Sequence, residues 1–348
     1  MKKRNPIILL FIVIIVLALG FYPMDSYISR PGGAYELEPF VEVDGGDQDD
    51  KGTLSLLTIA LAKATPLTYA YAKITDSQKI YKANEIRQED EDESEYNVRQ
   101  LKLMSNSQFN AISVAFERAN KPYTVSNNGI FIFNVVDESA AEGVLEAGDK
   151  ILQMDNIEDL TEESIRTYLT GKAEGDIIRL KVERDGKQLD KEVALKTIPG
   201  VLETPAIGIS YTADKKVETT PVVHINSEDI GGPSAGLMFT LEILNQLLPE
   251  DITKGYKIAG TGEMGPDGTV GRIGGIDLKV IAADNKDMEI MFAPDDEIDP
   301  TILANNPGLT SNYEEALKSA RKTGTKMKIV PVKTIDDALA YLDKLEPK

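Results

Sequence analysis

The serine in "GGPSAGLMFT", Gly231 to Thr240, stands among small residues just ahead of an apolar helical pattern. Three readings suit it: a phosphate-cradling loop, a nucleophile on a tight turn, or a helix N-terminus capped by a hydroxyl. The phosphate loop fails. G-x-x-x-x-G-K-[ST] needs a lysine after its last glycine, and Gly236 is followed by Leu237 and Met238. The nucleophile elbow fits in spacing, with Gly232 and Gly236 two residues either side of Ser234, but its triad needs a histidine downstream. The chain has one histidine, His224, which lies upstream in "PVVHIN" and reads as a structural or surface residue. The helix cap stays open.

A serine becomes a nucleophile only beside a base. Without a usable histidine, that base is a lysine whose charge is suppressed, since burial can lower a lysine pKa to roughly 5–6. "GRIGGIDLKVIAADNK" supplies Lys279 among Leu278, Val280, Ile281, Ala282 and Ala283. On a helix starting near Ile276 it faces inward with Ile276, Val280 and Ala283. From spacing alone, an ordinary surface lysine is the alternative; Lys286, in polar "DNKDM", is expected to be exposed. The glycine-rich segment from Thr261 to Gly275 reads as strands and tight turns that bring backbone amides near the nucleophile. The expected oxyanion donors are the Ser234 amide and a neighbour in the turn from Gly232 to Ala235.

Composition limits what else this chemistry could be. The 348 residues are enough for two or three domains. The 57 acidic residues outnumber the 38 basic ones, and a formal net charge of −19 argues against a nucleic-acid partner. No cysteine is present, which excludes disulfides, thiolate metal sites and a cysteine nucleophile, and one histidine cannot build a multi-histidine zinc site. No metal or other cofactor is expected.

The elements that must position the serine and lysine follow a membrane-targeting signal. Lys2, Lys3 and Arg4 precede an uncharged apolar run from Ile7 to Tyr22. Large residues stand where a signal peptidase would need small ones, so residues 1–30 read as an uncleaved transmembrane signal anchor with the positive end in the cytoplasm. Asp25 to Lys348 are then extracellular, where ATP is not available. Residues 31–122 read as an exterior segment associated with the last domain. It contains a buried strand and helix in Thr53–Ile74, an acidic run from Arg87 to Tyr96, and an amphipathic helix in Tyr96–Asn120 with a weak point at Ser105–Ser107.

From Pro122 the pattern becomes strand, short helix, strand, helix and hairpin. "GIFIFNVV" is a strand, "LTEESIRTYL" a helix with a weak cap at Thr161 because Ser164 replaces the preferred glutamate, and Asp185–Gly186 a two-residue hairpin turn. These residues, with "SAAEGVLEAGDKILQMDN" between them, resemble a bacterial PDZ domain over residues 123–198. The resemblance implies that a peptide adds as a strand along Ile130–Asn134, with Gly129, Ile130, Phe131 and Ile132 as the carboxylate loop and Ile165, Tyr168 and Leu169 lining the helix side. The loop lacks the family's second glycine. "AIGISYTADK" reads as the first strand of the next domain.

The last segment, residues 204–348, resembles the proteolytic domain of Lon-type serine proteases through "GGPSAGLMFTLEIL", "IAGTGEMGPDGTVGRIGGIDLKVIAA" and "IMFAP". The resemblance puts the nucleophile on Ser234, the general base on Lys279 and a dyad-ordering threonine on Thr261. Two positions depart from the family: Gly231 stands where an acidic residue is common, and Asp277 where the first lysine of "GGLKEK" would be. The full layout resembles the membrane-anchored PDZ–Lon peptidases of bacteria with a single membrane. It implies an α+β multidomain protein with an N-terminal transmembrane helix, a PDZ-like β-barrel or sandwich with helices, and a Lon-type proteolytic α/β domain. The implied activity is ATP-independent cleavage of secreted or membrane-tethered peptides and small or unfolded proteins, and such domains often assemble into homo-oligomers. An inactive PDZ adaptor that presents membrane peptides to a partner is the alternative.

Overall fold

The computed structural model describes residues 6–46, 51–88, 91–227 and 230–348. Contacts divide the chain into two compact units: Met1–Glu89, His224–Asn226 and Pro233–Lys348 form the first, and Asp90–Val223 with Ser227–Gly232 form the second. Lys2, Lys3 and Arg4, and Glu89 and Asp90 of the acidic run, lie outside the described residues.

The first unit begins with helix α1 (Pro6–Phe21), followed by strands β1 (Ser26–Glu36), β2 (Val41–Val43) and β3 (Thr53–Lys63), helix α2 (Pro66–Ile74), strand β4 (Lys79–Lys82) and the short helix α3 (Ala83–Ile86). The apolar run thus makes a helix of 16 residues, about 24 Å long at 1.5 Å per residue. No helix among the described residues is long and apolar enough to cross a membrane. The expected transmembrane helix is therefore not supported at this length.

The second unit runs through helix α4 (Glu93–Arg118), strands β5 (Tyr123–Val135) and β6 (Lys150–Met154), helix α5 (Glu162–Leu169), the hairpin β7 (Ile177–Arg184) and β8 (Lys187–Ala194), and strands β9 (Lys196–Ile198), β10 (Leu202–Ala206) and β11 (Ile209–Thr219). Its five-stranded sheet has the order β11-β5-β6-β7-β8. Asp185 and Gly186 both have positive φ, as a two-residue hairpin turn requires. The α5 cap forms without glutamate: the Thr161 side chain accepts from the Ser164 amide at 3.0 Å, and the Ser164 hydroxyl accepts from the Thr161 amide at 2.8 Å. The acidic run supplies the cap of α4, where Asp92 and Glu95 each accept from the other's amide. That helix is continuous for 26 residues; Ser105 and Ser107 do not break it, because Met104, Ser107, Ala111 and Val114 form a buried stripe across the expected weak point.

The chain then returns to the first unit through β12 (Val223–Ile225), a single 3-10 turn (Pro233–Ala235) and helix α6 (Gly236–Leu247). After these come β13 (Lys257–Gly260), the β14 (Glu263–Met264) and β15 (Val270–Gly271) pair, helix α7 (Ile276–Asp284), β16 (Ile290–Pro294), α8 (Pro300–Asn305), α9 (Asn312–Thr323), β17 (Lys328–Val332) and α10 (Ile335–Leu342). The sheet order is β17-β16-β13-β3-β1-β4. Strand β3 is parallel to β13, with Leu54 opposite Ile258, so one sheet is built from residues 26–82 and 257–332. Residues 31–88 of the expected exterior segment are thus part of this sheet's unit, whereas α4 groups with the second unit. Strand β11 also lies in the second unit, though the sequence places it in the last domain, because it pairs along the whole of β5.

Helices cover both faces of the six-stranded sheet. Ala259, Met291 and Ala293 pack with Ile276, Val280 and Ala283 of α7. The alternate residues face the other way: a Cβ at Gly260 would lie 2.4 Å from the sulfur of Met238 on α6, and Phe292 stacks edge-on with Tyr341 of α10. The glycine lets α6 settle directly on β13.

In the second unit Asp214 of β11 is buried against three partners. It pairs with the buried Lys102 of α4, with Lys150 at 3.1 Å, and accepts from Asn128 at 2.8 Å. Burial pushes its carboxyl up, but the two ammonium groups more than offset this and hold it below the usual carboxylate range. Removing the carboxylate leaves Lys102 as an uncompensated buried charge. Asp214→Ala should cost about 3 kcal/mol in urea unfolding followed by circular dichroism. The wild-type contribution is present at neutral pH and disappears as pH falls through the lowered Asp214 pKa. A loss below about 0.5 kcal/mol, the range of ordinary surface substitutions, would contradict this account.

Candidate active site and peptide groove

Three segments of the first unit converge at the carboxyl end of β13. Ser234 sits in the 3-10 turn that opens α6, Thr261 follows the last residue of β13, and Lys279 lies in the first turns of α7. The helices carrying Ser234 and Lys279 cover opposite faces of the sheet, so their side chains meet past its edge, where open α/β sheets place their sites. The Lys279 Nζ donates to Ser234 Oγ at 2.7 Å and to Thr261 Oγ1 at 2.8 Å. Thr261 Oγ1 in turn donates to the Ser234 carbonyl at 3.0 Å, and that carbonyl also accepts from the Gly262 amide at 2.9 Å. The Ser234 turn and the β13 exit are thereby fixed to each other.

Lys279 is 2% exposed and Thr261 fully buried. Burial lowers the Lys279 pKa from 10.5 to about 7. An amine near pH 7 can hold or release a proton, and its hydrogen bonds aim it at the serine hydroxyl. The inward face expected for Lys279 is present, with Ile276, Val280 and Ala283 all buried. Lys286 and His224 are both exposed, and the His224 imidazole lies 3.7 Å from the Asp44 carboxylate.

The two expected oxyanion positions differ. The Gly232 amide donates to the Gln100 carbonyl of α4 at 2.9 Å, so it is already engaged. Ala235 is buried in the turn immediately after Ser234. The same helix accounts for glycine at 231, where the family commonly has an acidic residue: a Cβ there would lie 2.9 Å from the Gln100 Cβ. Asp277, the other departure, accepts from Lys79 at 2.8 Å.

In the second unit the expected peptide edge is not an edge. Strand β5 is paired on both sides: Ile130, Phe131 and Ile132 face Ala213, Thr212 and Tyr211 of β11, while Ile130 and Phe131 also face Ile151 and Lys150 of β6. Ile130 and Ile132 are fully buried core residues. Gly129 serves close strand packing, since a Cβ would meet the Ile151 carbonyl oxygen at 2.3 Å. Gly129, Ile130, Phe131 and Ile132 therefore form no carboxylate loop.

The strand at the end of this sheet is β11. A cleft of about 450 Å³ runs between it and α5, with Ile165 and Leu169 on the helix side and Ile207, Gly208 and Ile209 on the other. Of the three residues expected on the helix side, Ile165 and Leu169 line this cleft, whereas Tyr168 does not and donates its hydroxyl to Asp155 at 2.7 Å; the other side is "AIGI", Ala206 to Ile209. That apolar-Gly-apolar pattern was the available signal. In the sequence it follows the hairpin instead of preceding "GIFIFNVV", so its pairing with β5 is not visible from its position in the chain.

The family model for the PDZ domain matches residues 110–195, and that for the Lon protease (S16) C-terminal proteolytic domain matches residues 208–342. Neither matched region is an ATPase module. No curated protein is similar enough to count as a match. Among solved structures, the PDZ domain of an SdrC-like protein from Listeria innocua is 28% identical over 24% of this chain and 92% of its own, with a TM-score of 0.22. The corresponding domain from Listeria monocytogenes is 27% identical over 25% and 92%, with a TM-score of 0.24. A protein from Geobacillus thermodenitrificans, solved in solution, is 34% identical over 24% and 95%, with a TM-score of 0.22. The chain carries a PDZ domain and, following it in sequence, the proteolytic domain of the Lon (S16) serine peptidases.

Proposed function

We propose that the protein is an ATP-independent serine endopeptidase working through a Ser234–Lys279 dyad. It is attached to a membrane by its N-terminal apolar segment, with the catalytic part outside the cell. The observation that carries this reading is the buried Lys279 amine, 2.7 Å from Ser234 Oγ and with a pKa near 7. Neutral Lys279 takes the Ser234 proton as Oγ attacks a peptide carbonyl. The amides of Ser234 and Ala235, at the N-terminal end of α6, hold the oxyanion, and the helix dipole favours negative charge there. Protonated Lys279 then gives its proton to the leaving amine. Water, deprotonated by the same lysine, hydrolyses the acyl-enzyme and restores Ser234. Thr261 keeps the amine aimed at Oγ throughout.

The groove between α5 and β11 supplies substrate recognition. An extended segment of a secreted or membrane-tethered peptide adds to β11, and its apolar side chains rest on Ile165 and Leu169. The attachment reading draws on α1: Leu10, Phe11, Ile14, Leu17 and Phe21 are all exposed, and a bilayer is one of the partners that such an apolar surface fits.

Full-length protein incubated with unfolded peptides without ATP should cleave them, and Ser234→Ala should lose cleavage by at least about 1,000-fold by mass spectrometry. Equal cleavage by both proteins would end the dyad reading. For wild type, kcat/KM should rise with pH through about 7 as Lys279 loses its proton, then level off.

The same pKa has a stability consequence. Between about 7 and 10.5 the unfolded chain holds a proton on Lys279 that the folded chain does not, so stability rises with pH across that window. At pH 7 the shift costs on the order of 4 kcal/mol. Lys279→Met should therefore abolish cleavage yet raise the melting temperature at pH 7, with a smaller gain at pH 9. A lower melting temperature at pH 7 would mean that the amine is not a net burden to the fold. In the groove, Leu169→Glu should raise KM about tenfold or more with kcat unchanged, because it removes binding shared by ground and transition states. A fall in kcat at unchanged KM would exclude a recruiting role.

A further inference from the structure

Helix α2 has two apolar faces, and the fold uses one. Tyr69 and Ala72 turn inward onto the cluster of Ile28, Ala64 and Met24. Leu67, Tyr71 and Ile74, spaced four and three residues apart, lie on the opposite side of the helix. They are 56%, 55% and 81% exposed. A three-residue apolar stripe on a nine-residue helix is more than scattered surface hydrophobicity.

The chain also fixes where this stripe sits. Helix α1 ends at Phe21, and three residues later the Met24 amide donates to the Ala64 carbonyl at 2.8 Å. The Ala64 amide donates to the Ser26 carbonyl at 2.7 Å, and Thr65 is the N-cap of α2. The start of α2 is thus bonded to the residues that leave α1, and α1 packs against α2. Phe21 and Tyr22, at that junction, are also exposed. Exposed Lys63 and Lys73 flank the stripe, and the Lys73 amine lies over the Tyr69 ring at 5.6 Å. Aromatic rings and lysines beside an apolar stripe are the residues that settle at a bilayer surface. The chain's net charge of −19 would repel an anionic surface as a whole, so the contact has to be local and apolar.

We infer that the Leu67–Tyr71–Ile74 face of α2 lies in the lipid interface beside the end of α1, as a second membrane contact of the catalytic unit. This rests on the membrane attachment through α1 proposed above. With two contacts, the unit is held at the surface in one orientation, where a single tether would let it swivel. A peptide emerging from the same membrane would then meet the catalytic unit in a constant pose.

The chain contains no tryptophan, so one introduced tryptophan is a unique fluorescent reporter. Full-length Tyr71→Trp and Tyr22→Trp proteins are reconstituted in phosphatidylglycerol–phosphatidylcholine vesicles with and without brominated acyl chains. Emission of Tyr71→Trp should shift to the blue, be quenched by brominated lipid and be shielded from aqueous iodide. Adding Leu67→Gln and Ile74→Gln should restore iodide quenching. If Tyr22→Trp is quenched by lipid while Tyr71→Trp stays open to iodide, attachment stands and the α2 contact is wrong. If neither is quenched by lipid, the attachment itself fails and the inference falls with it. Shielding of Tyr71→Trp that depends on protein concentration and not on brominated lipid would assign the face to a second copy, and would also overturn the inference.

Discussion

Much of the candidate site's geometry follows from keeping one amine dry. Among the described residues, Lys279 has no carboxylate as a hydrogen-bond partner; its two side-chain acceptors are hydroxyls. A carboxylate would raise its pKa and hold it charged, and solvent would do the same less strongly. Leu278, Val280, Ala282 and Ala283 are buried around it along α7, and Thr261 is fully buried on its far side. The low pKa is thus a property of the packing, and the packing carries its cost. Serine–lysine chemistry needs this arrangement because an exposed lysine near 10.5 would stay protonated at neutral pH and could not take the serine proton.

Such packing needs a sheet broad enough to cover both α6 and α7. Strands β13, β16 and β17 alone would leave α7 without its other neighbours, since it also packs on β1 and β3. Those strands come from before the PDZ domain in sequence. The family match to residues 208–342 therefore covers Ser234, Thr261 and Lys279 but not the whole sheet that supports them. Leu57 of β3 belongs to the same core as Ile276 and Val280, so residues far apart in the chain share the task of burying the lysine's helix.

What the sequence made legible was local. Ser234 and Lys279 carry recognisable flanks, and helix periodicity alone turns Lys279 inward. The hairpin turn at Asp185–Gly186 and the helix side of the groove, Ile165 and Leu169, are also local patterns. The failures concern strand partners. A strand's residues state which face is apolar, but not which strand lies beside it. "GIFIFNVV" is apolar at nearly every position, which marks a strand without naming its neighbours, and β11 closes its outer side from 74 or more residues away in sequence. The weak point assigned to α4 failed for a related reason: Ser107 is a poor helix residue by propensity, but burial against tertiary neighbours outweighs a few tenths of a kcal/mol.

The placement of β11 changes how the two functional regions are related along the chain. It forms the strand side of the groove, and at Asp214 it is joined to Lys102 of α4. Two residues earlier on that helix, the Gln100 carbonyl holds the Gly232 amide, two residues before the serine. Helix α4 is long and unbroken, so its Gln100 and Lys102 ends of these bonds cannot shift independently. The glycine at 231 fits the same constraint, because any side chain there would press on Gln100. Within the second unit, one helix therefore holds both the groove strand, at Asp214, and the chain segment at Gly232.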